Sequence, residues 1–173
     1  MLVGFYDIQL LTAPGRVFTP RPSTEQLVER ALAAMRDGPV RVADVGTGAG
    51  AIAVALALNA PSAEIWATDS SAQAVELAIA NAARHGVSAQ VHVRHGDLLA
   101  PTEGTFDLVV ANLPYLPEAR REDGGYEDEP DDAVYAPGDG LGHYRRLVRQ
   151  ARRRLRPGGS VLVQLHRTVI SVA

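Results

Sequence analysis

Cysteine is absent from all 173 residues. That removes disulfides, thiolate metal centres and cysteine nucleophiles from consideration, and it suits a reducing cytoplasm, where the chain is expected to work. A charge excess of either sign is lacking too. Twenty acidic residues against 17 basic ones leave −3 and a pI near 5.9, too little to draw the chain to nucleic acid or anionic lipid. No apolar run approaches the ~18 residues of a membrane span. The N-terminus has no basic segment followed by a long apolar core, so it does not read as a signal peptide. His85, His92, His95, His143 and His166 show no metal-ligand spacing, and no metal is expected. There is no internal repeat and no low-complexity tract.

What is present points to a single α/β domain over residues 1–173, with a lead-in and helix over 1–37 and a core over 38–173. A chain of this length can bury about 70% of its unfolded surface. The stretch around which it is organised runs from Phe106 to Tyr115. Phe106 to Ala111 is a short apolar run, the pattern of a strand buried on both faces. Asn112-Leu113-Pro114-Tyr115 then stops it, placing an amide and an aromatic ring at the carboxyl edge of a sheet, where open α/β folds bind ligands. Pro114 stiffens the backbone and biases Leu113 toward extended geometry. Amide and carbonyl acceptors beside a flat ring suit a planar NH2 group.

The rest of the chain alternates strands with helices. Met1 to Leu11 reads as a short strand or lead-in. The prolines from Pro14 to Pro22 predict a stiff, non-helical segment. Ser23 or Thr24 can then cap a helix with Leu27, Ala31, Leu32 and Met35 on its apolar face, ended by Asp37-Gly38-Pro39. Strands are expected over Val40 to Val45, Glu64 to Thr68, Gln90 to Arg94, Phe106 to Ala111 and Ser160 to Leu165. Helices are expected over Ala51 to Asn59, Ser71 to His85 (Val75, Leu77, Ala78, Ile79 and Ala82 inside) and Leu141 to Leu155 (Tyr144, Leu147, Val148, Ala151 and Leu155 on one face). This alternation predicts a doubly wound, mostly parallel sheet with right-handed crossovers.

The turn from Gly46 to Gly50 follows a strand and opens a helix, the context of a nucleotide-binding turn. Asp69 ends the next strand 23 residues after Gly46, about where an acidic side chain meets ribose hydroxyls. Gly46-x-Gly48-x-x-Ala51 also fits a relaxed dinucleotide fingerprint. Against that reading, Asp44 stands two residues before the turn, where it would attract a cationic group and repel a pyrophosphate.

Val42-Ala43-Asp44-Val45-Gly46-Thr47-Gly48-Ala49-Gly50 resembles the first motif of class I S-adenosylmethionine-dependent methyltransferases. More narrowly, the chain resembles the HemK/PrmC family of protein-glutamine N5-methyltransferases, which modify the GGQ loop of peptide-chain release factors. Four further segments match in order. They are Phe5-Tyr6 with Phe18-Thr19-Pro20-Arg21-Pro22-Ser23-Thr24-Glu25, then Gly96-Asp97-Leu98-Leu99, then Asn112-Leu113-Pro114-Tyr115. The last is Glu129-Pro130 with Gly138-Asp139-Gly140-Leu141 and Tyr144-Arg145-Arg146-Leu147. The resemblance implies a Rossmann-like class I methyltransferase fold, C-terminally shortened, with S-adenosylmethionine as cofactor. It implies that Asp44, Gly46, Thr47, Gly48 and Gly50 hold the methionine part, Asp69 and Ser70 the ribose, and Asp97 and Leu98 the adenine. Asn112, with the carbonyl near Leu113, would accept the acceptor NH2, and Pro114 and Tyr115 complete that catalytic corner. Phe18 and Arg21 would lie across cofactor or substrate.

The residue types suit the chemistry. An amide nitrogen is a poor nucleophile, and two acceptors on its N–H groups orient its lone pair and bear the positive charge that develops. Leu113 stands where the family usually has proline, and NLPY is also the spelling in rRNA adenine dimethylases, so an adenine N6-methyltransferase stays open. So do an oxidoreductase and a catalytically silent cofactor-binding subunit. The loop from Glu118 to Asp132 carries eight acidic residues against Arg120 and Arg121. That favours a basic protein loop over a phosphate backbone. The arginines from Arg145 to Arg156 largely avoid the apolar helix face and read as solvated. The family's N-terminal helical domain has no counterpart here, and Gln164-Leu165-His166 replaces its Glu-Ile-Gly. The fifth strand is therefore expected near a sheet edge, covered by Thr168 to Val172, by a partner or by a second copy.

Overall fold

The computed structural model describes residues 1–35 and 40–165. The expected helix stop at Asp37-Gly38-Pro39, His166 and the segment Thr168 to Val172 lie outside the described residues.

Strands β1 (Leu2–Phe5) and β2 (Ile8–Leu11) form an antiparallel hairpin. Its two-residue turn, Tyr6-Asp7, takes positive φ at both positions, 47° and 61°, which matches the twist of the flanking strands. Helix α1 (Pro22–Ala34) begins at Pro22 with Arg21 as N-cap and no side-chain cap. This corrects the expected start at Ser23 or Thr24: proline is already suited to the first helical position, where its missing N–H costs nothing.

Five strands then form one sheet: β3 (Arg41–Val45), β4 (Glu64–Asp69), β5 (Val91–His95), β6 (Phe106–Ala111) and β9 (Leu155–Val163). Their order is β5-β4-β3-β6-β9, and every neighbouring pair is parallel. The expected doubly wound sheet is therefore present. Helix α1, helix α2 (Ala51–Asn59) and helix α3 (Ala72–Arg84) share one core with Val42, Ile65, Val91, Leu108 and Val110. Helix α5 (Gly142–Ala151) packs on the other face with Ala43, Val45, Phe106, Val109 and Ala111.

Helix α2 is apolar all round because it is buried all round, touching α1, α3 and β4. Its alanines let the flanking helices approach closely. Phe106, at 0% exposure, anchors the start of β6 and contributes on the order of 2–3 kcal/mol by burial.

Several expectations need correction. Ile79 is 51% exposed and Val148 42% exposed, because α3 and α5 bury narrower stripes than their apolar residues indicate. Helix α5 ends at Ala151, and Leu155 belongs to β9, where it pairs with Phe106. The segment Arg156-Pro157-Gly158-Gly159 is not a turn before a strand. It forms an irregularity within β9, where the register jumps from Phe106↔Leu155 to Leu108↔Ser160. Between β6 and α5 the chain makes an excursion, closed at its base by β7 (Leu116–Pro117) pairing with β8 (Tyr135–Ala136). It carries a 3-10 helix (Glu118–Asp123) and the short helix α4 (Asp131–Val134).

Candidate active site

The register of the sheet decides where the site lies. Val45 pairs with Thr68 and with Ala111, Asp69 with His95, and Ala111 with Val163. Five strands thus end together, and the loops that follow them meet at one edge. A single cavity at that edge is lined by Gly46, Thr47, Gly48, Asp69, Ser70, Asp97, Leu98, Asn112, Leu113, Pro114 and Tyr115, with Phe18 and Arg21 from the lead-in. These are all the residues that the sequence singled out, save two.

The two exceptions are Asp44 and Gly50, neither of which lines the cavity. Gly50 is the N-cap of α2 at φ 80°, and a Cβ there would sit 3.1 Å from Ala78 on α3. Its role in the structure is close helix packing. Asp44 is fully buried behind the turn. Its Oδ2 accepts from Thr47 Oγ1 at 2.7 Å and from the Ala53 N–H at 3.1 Å, while Oδ1 is buried without a partner. Burial, with a smaller push from Asp69, raises its pKa from 3.8 to about 7.

Four of the turn's five N–H donors are spent inside the protein. Gly46 and Thr47 both donate N–H to the Thr68 carbonyl, Gly50 to the Thr47 carbonyl, and Gly48 to Asp69 Oδ2 at 2.9 Å. Asp44 takes one of the donors at the start of α2. A pyrophosphate would find an acidic group where a dinucleotide site offers free N–H groups, so this turn does not suit a dinucleotide. It suits a cation. Asp69 Oδ1 accepts from the Ser71 N–H at 2.9 Å, and burial raises the Asp69 pKa above its ordinary value. Each of its oxygens keeps a lone pair for a hydroxyl. The Asp69 carboxylate and the half-exposed Asp97 line the cavity in that order along the edge and fit the ribose and amine groups of S-adenosylmethionine, while the buried Asp44 adds negative charge behind the turn.

Asn112 is held by its amide: Nδ2 donates to Thr24 Oγ1 at 3.2 Å. Among the described residues nothing donates to its Oδ1. Thr24, buried on the first turn of α1, was read from the sequence only as a helix cap. The contact spans 88 residues, and only the spacing of the two motifs hinted at it. The half-buried Tyr115 ring lines the same corner, where burial raises its phenol pKa.

A strap closes over this corner. Arg21 ion-pairs with Glu129 at 3.4 Å and stacks on Phe18 and Tyr126, 5.3 and 4.6 Å from the ring centres. The Thr19 N–H donates to Glu129 Oε2 at 2.9 Å and the Gly15 N–H to the Asp128 carbonyl. Arg21 thus reaches the cavity with its guanidinium already engaged. Pro130 and Asp132 of the excursion line the cavity together with Tyr126 and Val134, whose place there the sequence did not signal.

The chain matches the family model described as Methyltransferase small domain over residues 22–124. It belongs to that methyltransferase family. A release factor glutamine methyltransferase of Deinococcus radiodurans is 46% identical over 159 residues, which are 90% of this chain and 56% of that protein. One from Escherichia coli is 37% identical over 163 residues, 92% and 58% of the respective chains. The chain thus spans under three-fifths of the length of these curated relatives. Among solved structures, a ribosomal protein L11 methylase of Lactobacillus delbrueckii aligns with a TM-score of 0.61 at 29% identity, covering 87% of this chain and 63% of that one.

Two features of the methyltransferase core depart from simple expectation. Asp97 is engaged by Arg146 of α5, so one of its oxygens faces a guanidinium and the other is left for a ligand. Arg145 and Arg156 pair with Asp139 and Asp107, and Arg154 donates to the Gly104 and Thr102 carbonyls. Much of the basic stretch is therefore tied down within the domain, leaving Arg149, Arg152 and Arg153 on the surface. No helix among the described residues is long and apolar enough to cross a membrane.

Proposed function

We propose that this chain is the catalytic domain of an S-adenosylmethionine-dependent methyltransferase acting on the side-chain amide of a glutamine in a protein, a release factor. The observation that carries the reading is the state of Asn112. Its NH2 is committed to Thr24, and its Oδ1 has no donor among the described residues, at the rim of the cavity that Gly48 and Asp69 also line. A bound S-adenosylmethionine supplies an electrophilic methyl on a sulfonium. Asp69 and Ser70 would hold its ribose, Asp97 and Leu98 its adenine, and the turn 46–50 its methionine part, with Asp44 contributing negative charge from behind.

Asn112 Oδ1 accepts one N–H of the glutamine amide, and the carbonyl at Leu113 accepts the other. Fixing both hydrogens aims the nitrogen lone pair and stabilises the charge that grows on nitrogen. The Tyr115 ring stacks on the amide plane, and Pro114 keeps the corner from yielding. The proton leaves after transfer, so no strong base is required.

The strap's residues 118–132 carry eight acidic groups, of which Asp123, Glu129 and Asp131 are paired with arginines. The remaining charge suits a basic segment of a cytoplasmic acceptor protein. The outer edge of β9 is unpaired among the described residues, and in the working enzyme we propose that a partner or second copy covers it.

The test is labelled-methyl transfer to a purified release factor and to its Gln→Ala variant, with an adenine oligonucleotide in parallel. Label on the intact factor alone supports the reading. Label on the oligonucleotide instead sinks it in favour of adenine chemistry, and cofactor binding with no transfer to any acceptor leaves only a silent subunit.

A further inference from the structure

Residue 113 is a leucine and therefore carries an N–H in the middle of the acceptor loop. That N–H donates to the hydroxyl of Tyr144, 3.0 Å away on α5. The same hydroxyl lies 3.0 Å from the Leu113 carbonyl and 2.8 Å from the Gln164 carbonyl beyond β9. Tyr144 is 6% exposed. The Leu113 side chain is buried too, packed against Gly46 of the cofactor turn. One phenol thus touches both polar groups of residue 113, whose carbonyl is also an acceptor in the proposed reaction.

We propose that Tyr144 is a positioning residue for methyl transfer, clamping the Leu113 peptide and sharing its one proton between the Leu113 and Gln164 carbonyls. This rests on the functional reading above. A phenol has one hydrogen to give and two lone pairs to receive. With the acceptor site empty, the proton can satisfy the buried Leu113 carbonyl. When a substrate N–H arrives there, the proton turns to Gln164, and neither carbonyl is stranded. Binding the acceptor amide therefore costs no buried hydrogen bond, and the peptide does not move. Burial holds the phenol pKa far above the ordinary range, so the group remains a donor at every working pH.

The experiment compares wild type with Tyr144→Phe, with urea unfolding to check that each is folded. In the first arm, hydrogen exchange at the Leu113 amide is followed by NMR without any ligand. Tyr144→Phe is expected to speed it by about tenfold or more. Unchanged exchange overturns the clamp, whether or not the chain proves to be a methyltransferase. In the second arm, kcat and KM for the release factor are measured at saturating S-adenosylmethionine. Tyr144→Phe is expected to lower kcat by about 10- to 100-fold, with cofactor Kd unchanged. Unchanged kcat in Tyr144→Phe overturns the proposal. Wild type that transfers no methyl overturns the functional reading and this positioning role together, while the exchange arm still decides the contact.

Discussion

Raising the pH from 6 to 7 is expected to tighten S-adenosylmethionine binding, by about five-fold through the Asp44 share. The carboxyl lies fully buried behind the glycine turn, with one oxygen unpartnered and its pKa raised to about 7. A cationic ligand held against that turn prefers the ionised form. About a tenth of the groups are ionised at pH 6 and about half at pH 7, which sets the factor. The titration stops at pH 7 because the ligand's own α-amino group loses its proton from about 7.7 upward.

The same shift has a consequence for the empty protein. The folded form keeps this proton until about pH 7 and the unfolded form loses it near 3.8. The stability it contributes is therefore complete below 3.8, declines as pH rises and is gone above 7. Three units at about 1.4 kcal/mol each put the loss on the order of 4 kcal/mol. Asp44→Asn removes both effects: the variant is expected to be more stable than wild type at pH 8, and its cofactor affinity to lose most of its slope. The Asp69 pKa is also raised by burial and acts in the same direction, so the asparagine variant isolates the Asp44 share. Calorimetric titrations at pH 5.5, 6, 6.5 and 7, with urea unfolding at pH 5 and 8, measure both. Constant wild-type affinity across that series, or an undiminished slope in Asp44→Asn, would refute the reasoning.

Asn112→Ala is expected to abolish methyl transfer while cofactor affinity stays within a few-fold; a large loss of affinity with transfer retained reverses that assignment. Asp69→Ala removes the acceptor that pins the Gly48 and Ser71 N–H groups and is expected to weaken cofactor binding at least tenfold by calorimetry, and unchanged affinity counts against the whole site. Gly140→Ala places a Cβ 2.0 Å from the Tyr115 carbonyl oxygen at φ 81°. Backbone cannot yield cheaply there, so a loss of about 2 kcal/mol or more in urea unfolding is expected, and wild-type stability contradicts the packing. Thr24→Ala frees the Asn112 amide to rotate and is expected to lower kcat by about tenfold, with Thr24→Ser largely restoring it.

Local signals made the core legible. Helix α2 and strand β6 were readable to the residue because each is a mostly apolar segment, the helix opened by Gly50 and ending at Asn59 and the strand stopped by Asn112 and Pro114. The shared edge followed from topology, since parallel strands must all present their carboxyl ends to one side. Other features depend on contacts between distant parts of the chain. The hairpin turn uses Tyr6 and Asp7 with no glycine to mark it. Asp44 sits at a strand end beside a turn, where burial and exposure give the same sequence pattern. Tyr144 read as an apolar-face residue, and only the fold brings its hydroxyl to Leu113. The strap depends on Glu129 meeting Thr19 across 110 residues.

Asn81, buried on α3, bears on how the molecule is assembled in time. Its Oδ1 accepts the Leu11 N–H, and its Nδ2 donates to the Leu11 and Ala49 carbonyls. The hairpin β1–β2 is thus tethered to a residue 70 positions away, which exists in place only after α3 has docked on the sheet. Closing so long a loop is entropically costly before other contacts reward it, so the tether forms late. Interactions that form after the folding barrier slow unfolding without hastening folding. Asn81 is therefore a latch on lifetime: it sets how long the glycine turn and the hairpin stay joined once they have met.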